Sequence, residues 1–99
     1  MSPKEKKLAA VEAEIAAERA AALGRTESRL KKALDAVRLF DQGELRGKKR
    51  ERLLDDASEA CLSYVVQREA LGLPSADVQK DYGVTDEIWK SMGGIRSTH

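Results

Sequence analysis

The residues able to do chemistry are few. The one histidine, His99, is the last residue, and the one cysteine, Cys61, stands between Ala60 and Leu62 in an apolar stretch. Neither has a neighbour that completes a zinc site or a nucleophile and base pair, so Cys61 reads as a small core residue. Asp55, Asp56 and Glu59 would need oxygen ligands from another segment to hold a hard cation, and a solvated helix face accounts for them without one. Arg46, Lys48, Lys49, Arg50 and Arg52 put five cations into seven residues, a pattern suited to phosphate. Glu44, Glu51, Asp55 and Asp56 surround them, however, and no aromatic is interleaved for stacking, which favours a solvated loop and helix end. At a helix N-terminus those cations would oppose the macrodipole. No glycine-rich phosphate loop occurs. The expectation is a protein that is not an enzyme, with no catalytic residue, metal, cofactor or small-molecule ligand.

The sharpest local pattern is Asp77-Val78-Gln79-Lys80-Asp81-Tyr82-Gly83-Val84-Thr85-Asp86-Glu87-Ile88-Trp89. It resembles the helix-turn-helix of bacterial repressors, in which a short helix, a Gly-Val turn and a Ser/Thr-capped second helix follow one another. The resemblance implies DNA contact through cations such as Lys80 and Lys90. The sequence departs from it at Gln79, where a small residue is usual, and at Asp86 and Glu87, which would meet phosphates at the start of the reading helix. An αα-corner folded onto the longer helices is favoured, with Tyr82, Val84, Ile88, Trp89 and Met92 as core.

The elements that position these residues are all helical. Ser2-Pro3-Lys4-Glu5 is a capping-box pattern, with Pro3 where its missing N–H does no harm. Over residues 3–42, Leu8, Val11, Ile15, Ala22, Leu23, Leu30, Ala33, Leu34, Val37 and Phe40 recur at three- and four-residue steps, predicting one long amphipathic helix. Its stripe is narrow over residues 8–22 and wider over 30–40, and its phase slips by about one residue near Gly24. The slip is a bend or a break. Glycine costs about 1 kcal/mol relative to alanine in a helix interior, but only Thr26 could cap a second helix, which favours continuity. Gly43 is expected to cap the helix and residues 43–47 to connect antiparallel neighbours.

A second helix over about residues 48–71 carries Leu53, Leu54, Ala57, Ala60, Cys61, Leu62, Tyr64, Val65, Val66 and Leu71 on more than one face, placing it at the centre of the core. Gly72-Leu73-Pro74 ends it. Arg68 and Glu69 interrupt its apolar pattern, and a salt bridge to the C-terminal helices would explain them. Ser75 is expected to cap a short helix over 76–82 that Gly83 ends. Thr85 caps another through about Met92, stopped by Gly93-Gly94, and residues 95–99 are expected to fray.

Taken together, Tyr64-Val65-Val66-Gln67-Arg68-Glu69-Ala70-Leu71-Gly72-Leu73 and Tyr82-Gly83-Val84-Thr85-Asp86-Glu87-Ile88 resemble a small family of uncharacterised helical proteins from proteobacteria. The resemblance lies mainly over residues 64–92, with residues 30–40 in support. It implies an all-helical fold and a bacterial origin, and no activity or site residues.

Ninety-nine residues allow one modest core. The expected organisation is an all-α single domain over 1–99: a projecting helical arm over 1–23 and a helical core over 26–94, with the long helix antiparallel to the second and two short helices closing one end. At about 1.5 Å per residue the first helix spans about 60 Å and the second about 36 Å, so part of the first must project. Leu8, Val11, Ile15 and Ala22 then read as a helix-pairing seam. A homo-oligomer, with a dimer favoured, is the leading expectation, and a different helical protein partner rests on the same physics. A DNA-associated regulator using residues 75–92 is the alternative. Eighteen basic against seventeen acidic residues give no global field towards nucleic acid or membrane. With one cysteine, no export signal and no long apolar run, the expected compartment is a reducing cytoplasm.

Overall fold

The computed structural model describes residues 2–96, which form α1 (Pro3–Asp41), α2 (Arg50–Ala70), α3 (Val78–Tyr82) and α4 (Asp86–Arg96) with no strand among them. The N-terminal capping box is formed: the Glu5 amide donates to the Ser2 hydroxyl and the Ser2 amide to Glu5 Oε2, both at 3.2 Å. α1 then runs unbroken through Gly24, so the phase slip is absorbed within one helix. It ends where Gly43, at φ +75°, donates to the Phe40 carbonyl at 3.0 Å while Glu44 donates to Leu39 at 2.9 Å. That paired closure needs a left-handed residue after the last helical turn, which glycine supplies without a Cβ penalty.

α1 and α2 pack antiparallel. Arg29 reaches Ser63 and Glu59, well along α2, whereas Asp41 at the end of α1 meets Arg50 at the start of α2. Between them lie Leu30 and Val37 of α1 and Leu53, Ala57, Cys61, Tyr64 and Val65 of α2, to which Val78, Val84, Ile88 and Met92 are added from the C-terminal elements. Small residues on α2 let the helices approach closely: Ala57, Ala60, Cys61 and Ser58 are all buried. The Ser58 hydroxyl is satisfied by donating to the Leu54 carbonyl at 2.9 Å. The principal extents, 61 × 30 × 22 Å, and a radius of gyration of 17.5 Å describe a rod joined to a small bundle, since a compact chain of this length has a radius near ~13 Å.

Several expected boundaries move. α4 continues through Gly93 and Gly94 to Arg96 instead of stopping at Met92. Docking through buried Ile88 and Met92 holds this helix, and two glycines at about 1 kcal/mol each do not end a helix so held. Of the expected frayed tail, residues 95 and 96 are helical, and residues 97–99, His99 included, lie outside the described residues. Ser75 does not cap a helix. Its hydroxyl donates to Glu69 Oε1 at 3.1 Å, its carbonyl accepts from Val78, and α3 begins only at Val78. Among the described residues Arg68 makes no salt bridge to the C-terminal helices; it donates to the Pro74 carbonyl at 2.8 Å and to the Tyr64 hydroxyl at 3.2 Å. Val66, expected among the apolar positions of α2, is 52% exposed.

Candidate interaction surface

Every residue from Ser2 to Ala21 is exposed, although all but Ser2 lie in one helix. Alanine, glutamate, lysine and arginine hold this arm helical by intrinsic preference. Against that background Leu8, Val11 and Ile15 stand out at 56%, 51% and 45% exposure. Valine and isoleucine are poorer helix formers than alanine, so the arm's own helix is not served by Val11 and Ile15. Ala22, the fourth residue of the expected seam, sits half-buried at the root, where the arm meets the body, and Leu23 is the first side chain packed on the core.

Beyond the root the same helix forms one wall of an open groove between α1 and α2. Ala21, Gly24, Ser28, Ala33 and Ala36 make the wall, Leu53 the far side, and the space is about 880 Å³. A Cβ placed on Gly24 would meet nothing within 4 Å. Arg25, Arg29 and Lys32 stand along the groove, with Asp56 opposite. Arg25 pairs with Glu18 at 3.5 Å and Arg29 with Glu59 at 3.7 Å, in each case between side chains more than half exposed, so neither pair holds its partner tightly.

A second set of polar groups is turned to internal use. Tyr82 donates to Glu27 Oε2 at 2.5 Å, and the Tyr64 and Tyr82 hydroxyls share a bond at 2.7 Å with their rings edge to face. This ties α1, α2 and α3 together. The Tyr82 bond, aided by Lys31, holds Glu27 below the usual carboxylate range, while burial and the Glu27 charge push the Tyr82 phenol up. In the small cleft of about 350 Å³ lined by Lys31, Arg68, Asp77, Asp81 and Tyr82, Lys31, Arg68 and Tyr82 are therefore already engaged within the chain.

In the basic run, Arg50 is the residue with a structural task. It grips both Asp41 oxygens, at 2.8 and 3.3 Å, and both Glu87 oxygens, at 2.9 and 3.3 Å. A cation poorly placed for the dipole of its own helix is well placed for Asp41 at the C-terminal end of α1, and it fastens α4 to both. Asp41 and Glu87 are each held below the ordinary range by its guanidinium. Arg52 pairs loosely with Asp56 at 3.8 Å, and Arg46, Lys48 and Lys49 are exposed.

In the segment that resembles a helix-turn-helix, Val84, Ile88 and Met92 are buried and Tyr82 and Trp89 half-buried against the core. Thr85 caps α4 through the Ile88 amide at 3.3 Å. Asp86 accepts from Gln79 at 2.8 Å and Glu87 holds Arg50, so the start of α4 is occupied by contacts within the chain. Lys80 and Lys90 are exposed. Cys61 is fully buried, and burial pushes its thiol up to about 11. Among the described residues no three acidic, cysteine or histidine groups cluster to hold a metal, and no helix is long and apolar enough to cross a membrane.

Residues 1–99 match a family of unknown function (DUF6665), so the likeness carried by residues 64–92 extends over the whole chain. No curated protein and no solved structure matches it.

Proposed function

The chain belongs to the DUF6665 family, and we propose that it is a non-enzymatic helical self-association module, a homodimer held by its N-terminal arm. The observation that carries this reading is the exposure of Leu8, Val11 and Ile15, at 56%, 51% and 45%, on a helix that leaves the body of the protein. Each still has about half a side chain to cover, worth roughly 0.8–1.5 kcal/mol. Over both copies these residues supply roughly 5–9 kcal/mol, against roughly 4–15 kcal/mol for lost freedom on association. That balance is close enough for a dimer to be adjustable and for further contacts to decide its strength.

We place the protein in a bacterial cytoplasm, a compartment consistent with a free, fully buried Cys61. Sedimentation equilibrium at micromolar concentration is expected to give a dimer mass, and Leu8→Asp combined with Ile15→Asp is expected to give a monomer with an unchanged helical spectrum. A monomer for the native chain, or an unaltered mass for the double variant, overturns the reading. Co-purification of a stoichiometric second protein from the native host would replace the self-pair with a helical partner of another kind.

A further inference from the structure

The exposed seam does not end at the root of the arm. Counting by sevens from Leu8 gives Ile15, Ala22, Arg29 and Ala36, and counting by sevens from Val11 gives Glu18, Arg25 and Lys32. Arg25, Arg29, Lys32 and Ala36 all line the groove between α1 and α2. One stripe with coiled-coil spacing therefore runs from the bare arm into the groove, apolar at its outer end and cationic with small side chains between at its inner end.

The charges beside it are ordered in the same way. Outward from the root, the arm is acidic on balance, with Glu18, Glu14 and Glu12 against Arg19, and then basic on balance, with Lys7, Lys6 and Lys4 against Glu5. From the root into the body, α1 is basic on balance, with Arg25, Arg29, Lys31 and Lys32 against Glu27, and then carries Asp35 and Asp41 about Arg38, with Asp56 across the groove. In net charge the two are complementary when two copies run in opposite directions. Run parallel and in step, they would set like charges against like.

We propose that the occupant of the groove is the arm of a second copy, lying antiparallel, with the dimer axis near Ala20. This inference rests on the self-association proposed above and specifies its geometry. In that register Leu8 lies over Lys32, Val11 over Arg29 and Ile15 over Arg25, so apolar side chains cover the methylene stems of the cations. The guanidinium and ammonium heads turn to Glu12 and Glu14 of the arm, and Lys4 and Lys7 reach Asp35 and Asp56, offsetting Glu5, which lies over Asp35 in this register. The alanines and Gly24 let the backbones approach at the centre. Each arm fills the partner's groove, so the contact is made twice and exceeds what arm-to-arm pairing alone would cover.

Disulfide trapping tests the register. Val11 and Arg29 are eighteen residues apart on one helix, about 27 Å, so a Val11→Cys/Arg29→Cys chain cannot close a bond within itself. Oxidised glutathione is added to this double variant and to each single variant, with the native chain as control for Cys61. The expected result is covalent dimer from the double variant, several-fold above either single variant, abolished by Leu8→Asp. Covalent dimer from Val11→Cys alone overturns the register and leaves self-association standing. No trapped product together with a monomer mass for the native chain overturns both. As a second arm, reversing Glu12, Glu14 and Glu18 to lysine is expected to weaken association at least tenfold. Joining those chains with copies bearing Arg25→Glu, Arg29→Glu and Lys32→Glu is expected to restore it. Failure of that rescue, in copies that keep the native helical spectrum, also overturns the register.

Discussion

Gly24→Ala separates what α1 needs for itself from what the groove needs. Gly24 lies in the middle of α1, and a Cβ there would meet no heavy atom within 4 Å. A glycine in a helix interior costs roughly 0.5–1 kcal/mol relative to alanine, mostly through the freedom it retains when unfolded. Nothing in the folded chain offsets that cost, so the substitution is expected to stabilise the monomer by roughly 0.5–1 kcal/mol. In a domain of this size 1 kcal/mol moves the midpoint by about 4–8 °C, and the expected rise is therefore about 2–8 °C. The assay is thermal and urea unfolding followed by circular dichroism, at a dilution where the chain is monomeric, with the urea slope required to stay unchanged. In the dimer proposed above the same methyl group stands in the groove, and the dissociation constant is expected to rise. A lowered midpoint in the dilute protein would mean instead that the position serves the chain's own packing.

Tyr82→Phe removes the donor to Glu27 and the partner of the Tyr64 hydroxyl. Because the Glu27 side chain is 38% exposed and can rehydrate, the loss is expected to be about 1 kcal/mol, and a carboxyl titration by NMR should show Glu27 returning upward towards its ordinary value. Cys61, buried with its thiol raised to about 11, is expected to resist alkylation at neutral pH and to react only as the chain unfolds. The Arg50 fork predicts an acid dependence. Asp41 and Glu87 have folded values below their ordinary ones, so their contribution is present above the unfolded carboxylate range and is lost as the pH falls below about 4. Arg50→Met is expected to lower stability at neutral pH and to flatten that acid limb in a series of melts, and an unchanged limb would count against the fork.

How much was legible in the chain depended on whether the determining contact was local. The capping box at Ser2 and Glu5, the closure at Gly43 and the cap at Thr85 are each written within three or four residues, and each formed. The core faces of α1 and α2 follow from periodicity, which is why Leu30, Val37, Ala57, Cys61 and Tyr64 were identifiable. Contacts across large separations were not. Glu27 and Tyr82 are 55 positions apart, and Arg50 and Glu87 37 apart, and no spacing rule pairs them before the helices are docked. Arg50 was visible only as one of five cations, and its task emerged when α4 brought Glu87 beside it. Gly93-Gly94 misled for a related reason: its local tendency to stop a helix yields to docking of α4 through Ile88 and Met92. In the arm, sequence marked Leu8, Val11 and Ile15 by spacing alone, and the structure added their exposure and the groove into which their stripe runs.

In the proposed dimer the arm is the interface and the rest of the chain its anchor. The direct measurement is mass in solution by sedimentation equilibrium, taken on the full chain and on a chain lacking residues 1–22. A dimer is expected for the full chain and a folded monomer, with the core's helical spectrum intact, for the shortened one. A full chain that sediments as a monomer at micromolar concentration, or a shortened chain that still sediments as the dimer, would contradict it.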